Sequence, residues 1–225
     1  MHFISAYTNR SLFLDSLIVY VMENNLLTGG VLMALFWWTW FTPTNAGLEK
    51  REVLLFGLLL SILAVFIARA LALALPFRLR PLQDALVHFK APYKVDATGL
   101  INWSSFPSDH AVLFFGIAAA VWMVSRPVGA VALCHTLFII NLPRVYAGIH
   151  YPSDIIAGAV LGIGIVSLCR LKGLRKSVTH IPLSWLDKHP SSFYAVLFLL
   201  TFETTEVFDS TRQIAIHAFH FLRGN

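Results

Sequence analysis

The sequence predicts an all-α, polytopic membrane protein, a bundle of about six transmembrane helices with an interfacial helix at its N-terminus. Three observations favour this fold class. The 225 residues are 57% hydrophobic and only 13% charged, whereas roughly a quarter of the residues are charged in an ordinary soluble domain. The mean hydropathy is +0.69. The apolar residues are also gathered into stretches close to the roughly 17 to 25 residues that a helix needs to cross a bilayer.

Six apolar stretches are the predicted spans, several of them short enough to need a few residues of interfacial extension. They cover residues 26–41, 54–77, 110–125, 128–142, 154–171 and 193–208. Residues 11–25 precede them and carry Asp15 and Glu23, which favours an amphipathic helix at the membrane surface over a short seventh span. No long-period repeat divides the chain. We therefore expect one domain over residues 1–225, with its core motifs at 69–154 and a C-terminal loop and extra span at 172–225.

Composition and cysteine usage argue against two other kinds of protein. The net charge is +5, but the basic residues lie beside apolar stretches, which favours contacts with membrane lipids over nucleic-acid binding. Cys134 and Cys169 lie inside apolar stretches, so neither a disulfide framework nor a zinc site is predicted. The N-terminus lacks the features of a cleaved signal peptide, and we expect the first span to direct the chain to the membrane.

Three short polar motifs lie at the ends of predicted spans, all on one side of the bundle. They are RLRP at residues 78–81, FPSDH at 106–110 and RVYAGIHYPSD at 144–154. Pro107 and Pro152 suit the first turn of a helix, where a missing N–H costs nothing. The last two motifs are therefore expected at helix N-termini, where free amides and the helix dipole form an anion site.

One group of motif residues suits phosphate binding. Arg80 and Arg144 carry planar guanidinium groups that match phosphate oxygens, and Ser108 and Asp109 would present backbone amides to the same ligand. Taken singly, these residues have ordinary explanations, since Ser and Asp are common at helix starts. Their joint occurrence favours a functional cavity, because ionisable groups at membrane depth are costly unless they serve one.

A second group suits catalysis. His150 and Asp154 are four residues apart, so the carboxylate can hold one ring nitrogen and leave the other as a nucleophile. His110 is then left to protonate the departing oxygen as a general acid.

With these residues in place, the chain resembles the type-2 phosphatidic acid phosphatase superfamily, whose pattern is KxxxxxxRP, PSGH and SRxxxxxHxxxD. The resemblance covers about residues 54–170. The matching residues are Arg80, Pro81, Pro107, Ser108, His110, Arg144, His150 and Asp154. It implies a helical bundle that hydrolyses a phosphate ester or anhydride through a phosphohistidine at His150, without a metal ion or cofactor. It also implies that Arg80, Arg144, Ser108 and nearby amides hold the phosphate oxygens.

Three positions depart from the family pattern. Leu73 replaces the motif lysine, so we expect Arg69, one helical turn deeper, to act as a buried support and Arg78 as an added phosphate contact. Pro143 replaces the motif serine and is expected to kink the end of the fourth span. Asp109 replaces the glycine of PSGH, and this FPSDH form resembles undecaprenyl diphosphate phosphatases of the bacitracin-resistance type.

The sequence thus predicts a membrane phosphatase that removes the terminal phosphate of undecaprenyl diphosphate. The alternatives are hydrolysis or phosphate transfer on phosphatidate, phosphatidylglycerophosphate or a lipid A phosphate, and a non-catalytic protein that binds or transports an anion. The expected partners are the lipid substrate and membrane lipids, and the sequence does not set the oligomeric state.

The basic residues predict the orientation, because short loops rich in Lys and Arg stay in the cytoplasm. The side opposite the motifs carries Lys50, Arg51, Arg126, Arg170, Lys172, Arg175, Lys176 and Lys188. The motif side carries nearly as many, but several of those have chemical roles. We therefore expect a multi-pass protein of the bacterial inner membrane whose site faces the periplasm or the exterior.

Two further features predict packing. His135 lies mid-span among apolar neighbours and is expected to be a hydrogen-bonded core residue. Gly158 and Gly162 are four residues apart, which favours close approach of two helices.

Overall fold

Helices make up all the regular secondary structure in the described part of the chain, and the predicted all-α class is confirmed. The computed structural model describes residues 1, 5–43, 47–93, 95 and 103–209. The helices are α1 (Leu12–Glu23), α2 (Val31–Phe41), α3 (Gly47–Ala74), α4 (Asp109–Val124), α5 (Arg126–His135), α6 (Leu142–Tyr146), α7 (Pro152–Val166), α8 (Lys172–Lys188) and α9 (Pro190–Thr205). Two π-helical segments, Leu26–Gly30 and Thr136–Asn141, lead into α2 and join α5 to α6, and a 3-10 turn, Ser167–Arg170, extends α7.

Three helical segments of the described part are long and apolar enough to cross a membrane. They are Gly47–Ala74, Arg126–Tyr146 and Pro152–Arg170, of 28, 21 and 19 residues. Leu12–Glu23 and Leu26–Phe41 together would form a fourth, but the pair is bent by 64°. α4 is apolar but has only 16 residues, which corresponds to about 24 Å of helix.

α4 is the central helix of the bundle and packs against α3, α5 and α7. Every residue from Ala111 to Val121 is buried, which explains why this helix is apolar on all sides. The glycines of α7 permit the close approach predicted from their spacing. A Cβ atom at Gly158 would lie 2.7 Å from that of Ala111, and one at Gly162 would overlap the backbone of Val112.

α8 occupies residues predicted to be a loop, and that prediction is wrong for this segment. The helix buries Arg175, Thr179, Leu183 and Leu186, which repeat at the three- and four-residue spacing of one helix face. The segment also has charged residues between these positions and a proline inside the helix, Pro182. Its composition is therefore similar to that of a loop. Contacts with α3 and α9 hold its buried face against the bundle.

α1 turns its carboxylate inward. Asp15 is fully buried and accepts hydrogen bonds from the amides of Asn9 and Tyr93 and from the hydroxyl of Tyr146. Phe13, by contrast, is 77% exposed. A helix lying at the interface would hold its acidic residues toward water. Glu23 is exposed, as this predicts, whereas Asp15 is not. Three donors satisfy the buried carboxylate, while several apolar side chains of the helix, among them Leu12 and Tyr20, lie outward.

The two π-helical segments contact each other. Nε2 of His135 lies 2.9 Å from the carbonyl oxygen of Thr28, a residue of the first segment. The hydrogen-bonded role predicted for His135 is therefore confirmed.

Candidate active site

The second and third motifs lie at the N-termini of α4 and α7, as predicted. Ser108 caps α4, because its hydroxyl accepts a hydrogen bond from the amide of Ala111 and the helix begins at the next residue. Pro107 therefore lies before the cap, and the expectation that it occupies the first helical turn is wrong. Serine is favoured at the cap because its hydroxyl satisfies an amide that has no partner within the helix. Pro152 does occupy the first turn of α7.

Backbone hydrogen bonds join the three motifs. The amide of Ser105, just before the second motif, donates to the carbonyl of Arg78 in the first motif at 2.9 Å. The amide of Ser108 donates to the carbonyl of Asp154 in the third motif at 3.3 Å. The motifs, far apart in the chain, are therefore fixed relative to one another by main-chain contacts.

The turn between α6 and α7 is held against the first motif. The amide of Leu82 donates to the carbonyl of Gly148, and Nη1 of Arg80 donates to the carbonyl of Ile149, both at 2.9 Å. Gly148 has a φ of 72°, a conformation that glycine adopts at little cost. This turn returns the chain from α6 to the start of α7 and places His150 beside Arg80.

Several of the motif side chains line one cavity of about 570 Å³. Its polar wall includes two imidazoles and three guanidinium groups, those of His110, His150, Arg69, Arg80 and Arg144. Part of its apolar wall comes from one face of α3, residues Ile62, Val65 and Phe66. Phe66 is 66% exposed, so this wall reaches the outer surface of the bundle.

His150 is held by a backbone carbonyl. Its Nδ1 lies 2.9 Å from the carbonyl oxygen of Ser105 and 3.6 Å from Oδ2 of Asp154. A carbonyl oxygen can only accept, so Nδ1 carries the proton and Nε2 keeps its lone pair. Nε2 lies 3.4 Å from Nη1 of Arg80. The predicted tautomer fits this geometry, but the Ser105 carbonyl, closer than the carboxylate of Asp154, is the group that sets it.

Burial lowers the pKa of His150 to about 4. The residue is 4% exposed, and removal from water disfavours the cationic imidazolium. The hydrogen bond to Asp154 opposes this shift, while the positive charges of Arg80 and Arg144 add to it. Burial also lowers the pKa of Arg80 to about 10, which leaves it a cation at neutral pH. Near neutral pH the site therefore pairs a neutral imidazole with a charged guanidinium.

Asp154 is the centre of a hydrogen-bond network behind His150. Its carboxylate accepts from the hydroxyl of Ser105, from the amide of Tyr151 at 2.8 Å and from Nη1 of Arg78 at 2.7 Å. The guanidinium of Arg78 also lies 4.2 Å from the centroid of the Tyr151 ring. Asp154 is fully buried, and these donors offset the cost of burying its charge.

Arg69 is paired with Asp109. Its Nε donates to Oδ1 of Asp109 at 2.7 Å, and its guanidinium lies 5.3 Å from the centroid of the Trp103 ring. Leu73, at the position of the motif lysine, is 89% exposed. Arg69, one helical turn away, lines the cavity. It therefore supplies a positive charge that Leu73 cannot.

The structure separates the predicted site residues into two groups. The wall of the cavity contains Arg69, Arg80, Asp109, His110, Arg144 and His150, whereas Arg78, Ser108 and Asp154 do not line it. Ser108 is fully buried, with its hydroxyl and its amide both engaged. Arg78 contacts Asp154, so the geometry favours a positioning role over the phosphate contact expected of it.

No motif in the sequence includes Ser105. Its position just before FPSDH is the one signal that could have drawn attention to it. Its backbone role leaves no residue-specific pattern, because every residue carries a carbonyl group.

The arrangement suits an oxyanion and a nucleophilic ring nitrogen. Three arginines line the cavity together with His150, whose Nε2 lies beside the guanidinium of Arg80. Among the described residues, no group of three or more His, Cys, Asp or Glu side chains is placed to hold a metal ion.

Comparisons with known proteins show the family to which the chain belongs. Residues 52–176, which include all three motifs, match the PAP2 superfamily. The chain is 40% identical over 60 residues to the bacitracin transport permease protein BcrC of Bacillus licheniformis, an alignment that covers 27% of this chain and 29% of that protein. It is 27% identical over 150 residues to the undecaprenyl-diphosphatase BcrC of Bacillus subtilis (strain 168), covering 67% of this chain and 70% of that protein. No solved structure matches the chain.

Proposed function

The chain belongs to the PAP2 superfamily, and from that premise we propose that it is an integral membrane phosphatase acting on a lipid diphosphate. One observation carries the proposal. The neutral imidazole of His150 shares a cavity with a second imidazole, that of His110, and with three guanidinium groups. A site that only binds an anion needs the guanidinium groups but not the imidazoles. Two imidazoles beside the guanidinium groups suit a nucleophile and a general acid.

In the proposed reaction, Nε2 of His150 attacks the terminal phosphorus atom and the bond from that phosphorus to the bridging oxygen breaks. His110 is protonated in the complex with the anionic diphosphate, whose negative charge favours the imidazolium form. It gives that proton to the bridging oxygen, and the lipid monophosphate leaves. Water, activated by the now neutral His110, then cleaves the nitrogen–phosphorus bond of the phosphohistidine and releases inorganic phosphate. The scheme uses side chains alone, without a metal ion or cofactor.

Arg80 and Arg144 are proposed to hold the non-bridging oxygens. They are only 5% and 8% exposed, so their charges act in a medium of low dielectric constant, where preorganised cations stabilise a developing anion strongly. Each is anchored by Nη1 on a backbone carbonyl, that of Ile149 for Arg80 and that of Ile140 for Arg144. This anchoring fixes the direction of both guanidinium groups before the substrate binds.

Three further residues have proposed supporting roles. Arg69, tied to Asp109, supplies the positive charge of the missing motif lysine. Ser108 orients the start of α4 through its cap, so that the amides of this turn face the substrate. Arg78 positions Asp154.

Undecaprenyl diphosphate is the first proposed substrate. The relative from Bacillus subtilis is named for that diphosphatase activity, and it aligns with two thirds of this chain. The exposed edge of the cavity at Phe66 would let a prenyl tail remain among membrane lipids while the diphosphate enters. Phosphatidate, phosphatidylglycerophosphate and a lipid A phosphate are the alternative substrates, and another lipid in place of water would make the enzyme a phosphotransferase.

A topology of six spans is also proposed. The segment Leu26–Phe41, α3, α4, the continuous segment Arg126–Tyr146, α7 and α9 would each cross the bilayer, with α1 at the interface. The excess of basic residues around Arg126, Arg170 and Lys172 would keep that end in the cytoplasm. The catalytic cavity of this bacterial inner-membrane protein would then face the periplasm or the exterior, and residues 1–225 would form one domain.

The proposal is tested by release of inorganic phosphate from undecaprenyl diphosphate by the purified protein in detergent, with a chelator present. We expect His150→Ala and His110→Ala each to lower the rate by at least about 10²-fold, because each removes a chemical group of the reaction. His135→Ala is the matched control, since His135 is also a histidine of the bundle but bonds to Thr28 outside the cavity.

Two outcomes would overturn the proposal. Full phosphate release by both His150→Ala and His110→Ala would refute the mechanism. A wild-type protein that releases no phosphate but binds it tightly through Arg80 and Arg144 would be an anion-binding or transport protein instead.

A further inference from the structure

A second cavity lies at the opposite end of the bundle. It has a volume of about 520 Å³ and is lined by the start of α3, the end of α4 and the residues that follow α7. Lys50, in this cavity, and Arg69, in the candidate active site, are both on α3. At 1.5 Å per residue they are separated by about 28 Å along the helix. The two cavities are therefore distinct.

The second cavity carries an excess of positive charge. Its lining contains four basic residues, Lys50, Arg126, Arg170 and Arg175, and one acidic residue, Glu49. Arg175 is used within the fold, because it is buried and lies 2.8 Å from Glu49 and 3.2 Å from Glu52. The excess charge remains on the other basic residues.

Arg126 and Arg170 are the charges that a ligand could use. Both are exposed, and neither has a carboxylate within ion-pair distance in the part of the chain that the structure describes. The guanidinium of Arg126 lies 4.9 Å from the centroid of the Trp122 ring, a contact that restrains its position. Planar guanidinium groups match the paired oxygens of a phosphate group.

The rest of the wall is apolar. It includes Val53, Trp122, Met123 and Val124, which would remain against water if a small soluble anion filled the site. A ligand with a phosphate group and an attached acyl chain would contact both the basic and the apolar residues of the wall. Basic pockets between transmembrane helices bind anionic headgroups for this reason.

We propose that this second cavity binds the phosphodiester headgroup of an anionic membrane lipid. Arg126 and Arg170 contact the phosphate, and the apolar wall contacts the first part of the acyl chains. The site is separate from the catalytic cavity, and its ligand is bound without being hydrolysed.

The test measures lipid bound to the full-length protein in detergent by native mass spectrometry, with phosphatidylglycerol and phosphatidylcholine as probes. We expect phosphatidylglycerol to be retained preferentially, and Arg126→Gln and Arg170→Gln each to weaken its binding about fivefold, the effect of one basic residue near an anionic surface. Lys176→Gln is the matched control, because Lys176 is exposed at the same end of the bundle but does not line the cavity. The affinity of Lys176→Gln for phosphatidylglycerol should equal that of the wild-type protein.

Three results would overturn the inference. Equal retention of both lipids would show that the headgroup charge is not recognised. An equal loss in Lys176→Gln would show a diffuse basic surface, and displacement of the lipid by equimolar inorganic phosphate would show a site for soluble anions. Binding is measured without hydrolysis, so these outcomes are independent of the phosphatase assay.

Discussion

Nδ1 of His150 lies 2.9 Å from the carbonyl oxygen of Ser105. The hydroxyl of the same serine donates to Asp154. A single residue thus contacts both members of the predicted catalytic pair, the ring through its backbone and the carboxylate through its side chain. Because these groups are buried, the loss of one hydrogen bond is not compensated by water.

Ser105→Ala should lower kcat about tenfold with little change in KM. The substitution keeps the carbonyl that holds the ring but removes a donor from a buried carboxylate, which costs about 1–3 kcal/mol. Ser61→Ala is the control, because Ser61 is also fully buried but donates to Gly57 within α3. Steady-state kinetics on both variants makes the comparison, and a wild-type kcat for Ser105→Ala would contradict the positioning role.

Arg78→Gln should also lower kcat about tenfold and leave KM nearly unchanged, because Arg78 orients Asp154 and does not line the cavity. Arg78→Lys should restore part of the loss, since lysine keeps the charge but loses the planar contact with Tyr151. The same assay separates the two interpretations of this residue. A raised KM at constant kcat would instead support the phosphate contact expected from the sequence.

Arg69→Gln and Asp109→Asn should show coupled effects on kcat/KM. The two side chains form one ion pair, and either substitution alone breaks it. The second substitution should therefore cause little further loss of kcat/KM, and we expect a coupling energy of about 1 kcal/mol. A double-mutant cycle measures it. The control cycle combines Arg69→Gln with Lys176→Gln, whose effects on kcat/KM should add. Additive effects for Arg69→Gln and Asp109→Asn as well would show that the ion pair has no role in turnover.

Gly162→Ala should lower the melting temperature of the purified protein. An added Cβ atom would overlap the carbonyl of Val112 on α4, and such overpacking costs about 1–3 kcal/mol. Gly164→Ala, two residues along the same helix, meets nothing within 4 Å and should be neutral or slightly stabilising. Identical melting temperatures for the two variants would contradict the close packing of α4 and α7.

The stability of the protein should fall in mild acid through His150. Its pKa is lowered from 6.5 to about 4 by burial, so between these pH values the unfolded chain binds more protons than the folded protein. The stabilising contribution is complete above about pH 6.5 and decreases as the pH falls toward 4, by on the order of 3 kcal/mol.

Melting temperatures at pH 7.5 and pH 4.5 test this pH dependence. The wild-type protein should lose several degrees more than His150→Gln, which has no imidazole to protonate. Equal losses in the two proteins would show that His150 is not held neutral by the fold.

Much of the site could be predicted because the relevant groups are side chains at fixed spacing. His150 and Asp154 are four positions apart, and Arg80, His110 and Arg144 lie at the ends of apolar stretches close to the length of a membrane span. Helix ends on one side of a bundle must lie near one another, so these residues were expected to share a cavity. Family membership rests on the same residues and was confirmed by comparison.

The rest depended on contacts that no spacing rule describes. The carbonyl of Ser105 could not be distinguished from any other carbonyl in the sequence. Arg78 could equally well have faced the cavity, and its contact with Asp154 follows from how the first and third motifs pack.

The sequence by itself determined the all-α class, the apolar segments and the charged groups available to the site. These follow from the cost of placing polar groups in hydrocarbon and from the period of the helix. Only the tertiary structure decided which atom fixes the His150 ring, which arginines face the cavity, and that residues 172–188 form a helix. Those outcomes depend on the direction of side chains and backbone groups, which is set when distant helices pack together.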